Sequence, residues 1–350
     1  MSNSPSSPAH PPKGEGSPLR EAPLWGSPWE RVGVRARAIA AYSLLAVLLY
    51  FALRNAPLAE IWGTLSKLQL WQVITLLVIN AVIFGLISLR WWLIVRAENK
   101  SISYFPLLAI RVAVFGISYF TLGPQVGGEP LQILYLQRKY GMTYTRATST
   151  VIMDKLLEFL ANFFLLAIGL TAILQAGILS VNGSSSFVSL SGLVILLLWP
   201  PIHIIFMYKG KYPVSALLRK FSNNKSVRFI AASERMAGAF CRRHLSALIS
   251  AILVSVFAAL GMVGEFFCIT LFFGIHLYFW QTIAAWTAGW LAFLVPLPGG
   301  LGALEASQVF AFGAFGISAA SAIGVTLLIR ARDLLIGGLG LLIASRGVNK

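Results

Sequence analysis

The chain has 350 residues, 57% hydrophobic and only 11% charged, with a mean hydropathy of +0.77, too little polar surface to coat a water-soluble globule. Its formal net charge of +16 does not make it a nucleic-acid binder, because the bases gather in particular connecting stretches without interleaved aromatics. Two cysteines, Cys241 and Cys268, and four scattered histidines offer neither a disulfide framework nor metal-ligand spacing, so no metal or cofactor is expected.

Residues 1–30 are rich in Pro, Ser and Gly and lack the apolar surface needed to fold, which predicts a disordered cytoplasmic tail. Arg31, Arg35 and Arg37 precede Ile39–Leu53, read as an uncleaved first span with snorkelling arginines. Pro57–Leu70 mixes Trp62, Leu65 and Leu68 with Glu60 and Lys67 and reads as an interfacial helix. Trp71–Leu89 is free of charge and, at about 28 Å of helix, matches the hydrocarbon thickness. Arg90, Arg96 and Lys100 follow it, with Trp91 and Trp92 at interfacial height.

Leu107–Leu122 is apolar apart from Arg111 and ends in a helix-breaking run containing Pro124, Gly127 and Gly128, closed by Glu129. Leu131–Tyr140 resumes as a short amphipathic helix, and Ala147–Ile173 is a span carrying Asp154, Lys155 and Glu158 in its first third. A polar loop at Gln175–Ser186 leads to a span over Val188–Tyr208, kinked at Trp199-Pro200-Pro201. Lys209–Arg243 holds nine bases against one acid, Glu234, and is read as a cytoplasmic loop. His244–Phe273 spans with Glu265 in its second half.

Phe279–Leu294 then runs into a second breaker, where Pro296, Pro298, Gly299, Gly300 and Gly302 precede Glu305. Irregular backbone between such apolar flanks is tolerated at membrane depth only where protein buries it or where it lines a wet cavity, which predicts the tip of a re-entrant hairpin. A plain loop outside the bilayer is the alternative. Ala306–Phe315 leaves the hairpin, and Ala319–Ser345 is the last span. The expected fold class is therefore all-α: a polytopic membrane protein with about six spanning helices and two re-entrant hairpins.

Placing every basic stretch in the cytoplasm gives the two hairpins opposite orientations. Sliding the chain by 175 residues also pairs Gly127 with Gly302, Gly141 with Gly316, Lys155 with Arg330 and Glu158 with Asp333, while Glu129 meets Glu305 after a one-residue slip. The expectation is one transmembrane domain over 31–345, built from inverted repeats at 71–175 and 245–345, an architecture that sets a substrate site between the breakers. Glu129, Asp154, Lys155, Glu158, Glu305, Arg330 and Asp333 are the candidate substrate-binding residues, because isolated charges in hydrocarbon are costly and mark polar paths. Arg330 and Asp333, three apart, are expected to pair, as are Lys155 or Asp154 with Glu158. Arg111 and Glu265 are weaker candidates. The alternative is that these pairs serve only to hold the helices in register.

Gly127-Gly128-Glu129, Gly141, Asp154-Lys155 and Pro298-Gly299-Gly300-Leu301-Gly302 with Glu305 and Arg330 resemble the lysylphosphatidylglycerol synthase transmembrane family, a flippase-like (UPF0104-type) group over most of 35–345. That group also forms the membrane half of the multiple peptide resistance factor. The resemblance implies a bacterial or archaeal membrane protein that moves a lipid between leaflets, in the inner membrane, with lipid-biosynthesis enzymes as candidate partners; the basic stretches predict that both termini are cytoplasmic. Gln132 stands where the family has a basic residue, and Asp154-Lys155 where it has Asp-Arg, which leaves substrate preference open. No aminoacyltransferase domain follows residue 350, so lysyl transfer is not expected. Two other readings stay open: a membrane enzyme or accessory factor of lipid synthesis with Glu129, Glu305 or Asp154 as base, and a proton-coupled solute transporter using Glu265 or Glu158.

Overall fold

The computed structural model describes residues 62–63, 66, 68–120, 127–175, 194, 198–221, 225–294, 300 and 302–347. The expected tail, first span and polar loop lie outside these residues, as do Pro124, Pro296, Pro298 and Gly299. Among the described residues every regular element is a helix, as a polytopic membrane protein of this composition requires.

The helices are α1 (Leu70–Glu98), α2 (Tyr104–Phe120), α3 (Glu129–Tyr140), α4 (Tyr144–Gln175), α5 (Leu198–Tyr208), α6 (Pro213–Phe221), α7 (Lys225–Arg243), α8 (Leu245–Phe272), α9 (Phe279–Ala292), α10 (Ala303–Ala314) and α11 (Ala319–Gly347). Helices α1, α4 and α8 are long and apolar enough to cross a bilayer. Helix α11 has 29 residues, a similar length, but carries Arg330, Arg332 and Asp333 in its middle. By contrast α3 and α10 have 12 residues each, and α9 has 14, about 18–21 Å of helix, so none of the three spans a 30 Å core alone.

Helix order repeats. Leu70, Tyr104 and Tyr144 open helices 175 residues before Leu245, Phe279 and Ala319, and α3 and α10 begin 174 residues apart. The packing repeats as well. Helix α1 lies against α8, its counterpart; α2 packs on α11 while α4 packs on α9; α3 packs on α2 and α4 while α10 packs on α9 and α11. Exchanging the two halves therefore reproduces each of these contacts, although α4 also packs on α8 while α11 has no comparable contact with α1. The local signals recur too: Gly141 and Gly316 both take the left-handed conformation, with φ of 63° and 73°, at the ends of α3 and α10, where a Cβ would be strained.

The cross-half contact of α2 with α11 is backbone to backbone. A Cβ added at Gly116 would sit 2.5 Å from the Gly337 carbonyl oxygen, and one at Gly340 would sit 2.2 Å from that of Val112. Small residues let helices approach this closely where lipid supplies no hydrophobic drive.

Lys209–Arg243, expected as a loop, is instead mostly the ordered pair α6 and α7. The cause is Glu234, the one acid in the stretch. It is buried on α7 and accepts hydrogen bonds from the backbone N–H groups of Val214 (3.1 Å) and Ser215 (2.8 Å) in the first turn of α6, satisfying donors that would otherwise lack partners. Arg242 donates to the Met207 carbonyl (2.8 Å) at the end of α5, and Cys241, buried beside Met153 of α4, has its thiol pushed up to about 11 by burial. The bases Arg219, Lys220, Lys225, Arg228, Arg235, Arg242 and Arg243 remain exposed.

Gly340→Ala is expected to lower thermal stability in detergent by about 1–3 kcal/mol, the usual penalty of overpacking, because its Cβ meets rigid backbone. Gly338→Ala, where nothing lies within 4 Å, should melt like the wild type.

Candidate functional site

A cavity of about 240 Å³ lies between the two sets of helices. Apolar and aromatic side chains such as Phe84, Phe115, Trp286 and Trp290 form much of its wall, and charges from both halves project into it: Arg90, Arg111, Glu129, Lys155 and Glu158 from the first, Glu265, Arg332 and Asp333 from the second. The breakers reach it as well, through Glu129 at the head of α3 and through Phe293 and Leu304 flanking the second break.

The first-half cluster is anchored on Asp154, which is fully buried. One of its oxygens accepts from Arg90 Nε (2.7 Å) and the other from Arg111 Nη2 (2.6 Å). Arg90 also donates to Glu158 (3.0 Å). Lys155 bridges Glu158 (3.1 Å) and Glu129 (3.2 Å). Three cations thus face three carboxylates, and the expected pairing of Lys155 with Glu158 is present. At the edge of the network Arg111 Nε, buried, has no hydrogen-bond partner among the described residues.

In the second half Arg330 and Asp333 do not pair with each other as expected. Arg330 forms a forked pair with Glu305, through Nε and through Nη2 (2.7 Å), and reaches the Gly300 carbonyl at 3.2 Å. Asp333 pairs with its neighbour Arg332 (2.8 Å), whose other nitrogen holds Glu265 at 2.6 Å. The reason is geometric. Glu305 sits at the head of α10, against α11, so a fork from the next helix beats a partner one turn away. Arg330 is consequently occupied and is absent from the cavity wall, whereas Asp333 lines it.

One motif occurs in both halves. Glu129 accepts from the Gly127 N–H (2.8 Å) and Glu305 from the Gly302 N–H (3.0 Å), so each carboxylate closes the turn into its own short helix. Each is also held by the cation at the equivalent place on the following long helix, Lys155 or Arg330. One turn on, Gln132 and Gln308 are both fully buried, and Gln308 donates to the Ala285 carbonyl (2.8 Å). Gly128 approaches α2 so closely that a Cβ there would lie 2.6 Å from the Val114 carbonyl oxygen, and its N–H donates to Ser118 (3.0 Å).

Sequence reasoning missed three residues. Arg90 reads as an interfacial base because Trp91 and Trp92 follow it, but α1 continues to Glu98 and buries it. Arg332 was overshadowed by Arg330. Asn80, buried on α1, donates to Glu265 and reads as an ordinary polar residue in a span. The 175-residue shift carried a signal for Arg90, since it aligns that residue with Glu265.

The profile of the lysylphosphatidylglycerol synthase TM region matches residues 38–340. The chain belongs to that family. In this family the chain is also similar to a UPF0104 membrane protein of Pyrococcus horikoshii, with 27% identity over 265 residues, which is 69% of this chain and 77% of the relative. No solved structure matches the chain. Membership of the lysylphosphatidylglycerol synthase TM region family makes this a membrane protein of lipid-related function, in keeping with charged groups buried among apolar helices.

The two breaker carboxylates are not equivalent in their dependents. Glu305→Gln leaves Arg330, whose side chain is 3% exposed, without its forked partner, and should cost about 3–5 kcal/mol. Glu129→Gln leaves Lys155 still paired to Glu158 and should cost about 1 kcal/mol. Thermal unfolding of the two variants in the same detergent checks the order.

Proposed function

We propose that the protein moves a lipid with an anionic or polar head group between the leaflets of the cytoplasmic membrane. The observation that carries this is the cavity: it is enclosed by apolar helices, walled by ionised side chains from both halves, and reached by both breakers. At about 240 Å³ it falls just below the ~300–1,000 Å³ of small-molecule pockets. That volume suits a head group, with acyl chains left among the exposed apolar residues of α1 and α8. In the Proposed path Arg111 and Lys155 receive the anionic group, Arg111 through a guanidinium nitrogen with no other acceptor among the described residues. Asp154, Glu158 and Glu129 hold those cations in place at no net charge. Glu305 and Arg330 fix the second breaker rather than touch the lipid. The helix N-termini of α3 and α10 are closed by their own carboxylates and add no anion site.

The repeat supports an inverted topology, in which the two short-helix pairs enter from opposite faces and meet at the cavity. The exposed bases of α6 and α7 support a reading in which those helices, and with them both termini, face the cytoplasm. In intact cells a membrane-impermeant thiol reagent should then label Ala306→Cys, exposed on α10, and spare Arg228→Cys on α7 until the membrane is opened. Equal protection of both would remove the inverted arrangement.

Translocation itself is tested in liposomes with leaflet-resolved fluorescent lipids. The double variant Glu129→Gln, Lys155→Gln removes a pair without changing net charge and should slow lipid movement at least about tenfold, roughly 1.4 kcal/mol of barrier, while melting close to wild type. A fully active double variant would rule these residues out of the path, and a chemically altered lipid would point instead to an enzyme.

A further inference from the structure

The two charge clusters that share the cavity are not balanced alike. In the first, Arg90, Arg111 and Lys155 meet Asp154, Glu158 and Glu129. In the second, the Arg330–Glu305 pair is complete in itself, and Arg332 alone serves both Glu265 and Asp333. Among the described residues one negative charge is left over. The side chains of Glu265 and Asp333 are 4% and 7% exposed, so water screens that charge little. The undescribed breaker residues 121–126 and 295–299 contain no charged side chain that could offset it.

Each described element packed around the pair can be named. From α1, Asn80 donates its amide to Glu265, and Arg90 stands on the cavity wall already bound to Asp154 and Glu158. From α2 come Arg111 and Tyr119, and from α4 Lys155 and Glu158, all within the first cluster or, for Tyr119, buried next to Asp333 and Arg330. Helix α8 itself adds Cys268, α10 adds Glu305, and α9 has no ionisable residue. Helix α7 meets α8 at Leu248 and Ala251, far along the helix from Glu265. No further cation among these groups is free to serve the pair.

We propose that Glu265 and Asp333 together hold one exchangeable proton, and that its binding and release couples lipid movement to a transmembrane proton gradient. Two carboxylates on one guanidinium in a poorly solvated site cannot both stay ionised without cost; a single proton converts one to a neutral acid and leaves the other paired with Arg332. With the proton bound, the charges of the two clusters together, the buried Asp154 included, sum to zero and an anionic head group enters against no excess negative charge. With the proton lost, the clusters carry one excess negative charge and repel it. Proton and head group therefore enter together and leave together, on the side where protons are scarcer. This inference rests on the translocation reading above, and it assigns the energy source that reading leaves open.

Two measurements test it. Infrared spectra of the purified full-length protein at neutral pH should show the C=O stretch of a protonated carboxyl group, which shifts in deuterated buffer. The band should disappear in Glu265→Gln and equally in Asp333→Asn, since either change leaves one carboxylate for one guanidinium. Absence of the band in the wild type, or its survival in both variants, overturns the proposal. In liposomes with the membrane potential clamped, a one-unit pH gradient should drive about a tenfold leaflet asymmetry of an anionic fluorescent lipid, the ratio that one proton per lipid sustains. Lipid that equilibrates evenly despite the gradient overturns the coupling and leaves translocation standing. A wild-type protein that moves no lipid under any condition overturns translocation and coupling together, while the infrared band still judges whether the pair holds a proton.

Discussion

The structure depends on the pairing of charges that lipid would otherwise reject. A lone ionised side chain at the bilayer centre costs on the order of 2.5–3.5 kcal/mol even on the mildest scales, and this protein buries six on its described long helices: Arg90, Arg111, Asp154, Glu265, Arg330 and Asp333. It does so largely through pairs that join two helices: Arg90 and Arg111 join α1 and α2 to α4, Arg332 joins α11 to α8, and Arg330 joins α11 to α10. The pairs therefore set the helix arrangement, and those of Arg90, Arg111 and Arg332 also bring charge to the cavity wall. A purely structural role and a role in the lipid path are compatible, because cations held at a fixed position by their counter-ions are also preorganised to receive an anion.

The two halves keep one feature unchanged and vary the rest. What is kept is the breaker: glycine, then a carboxylate that closes the turn into a short helix and is gripped by a cation on the next long one. What varies is the cavity wall. Position for position, Arg90 faces Glu265, Arg111 corresponds to Trp286, and Asp154 to Ile329. A symmetric scaffold thus presents a cation-rich face from one half and an acid-rich face from the other, an asymmetry suited to a directional process.

Much of this was legible in the sequence, for identifiable reasons. Helix positions followed from unbroken apolar runs such as Trp71–Leu89, and the repeat followed from glycines and charges at a fixed separation, features that depend only on the chain itself. Which charges pair was not legible. Arg330 and Asp333 lie one helical turn apart, yet each chooses a partner on another side chain's terms: Glu305 offers Arg330 a two-pronged carboxylate, and Arg332 sits beside Asp333. Local spacing ranks neighbours within a helix and says nothing of what the adjoining helix presents. The same limit explains Lys209–Arg243, where basic composition suggests a loop, while a single buried acid orders two helices.

The glycine contacts between α2 and α11 carry a mechanical consequence. Each half lends a helix to the other, and at Gly116, Gly337 and Gly340 the two backbones touch with no side chain between them to yield. Two halves interlocked in this way cannot rock past one another as rigid bodies without separating that seam. A motion that keeps the seam closed must carry α2 and α11 together, so that one helix from each half travels as a single piece whatever the remaining helices do.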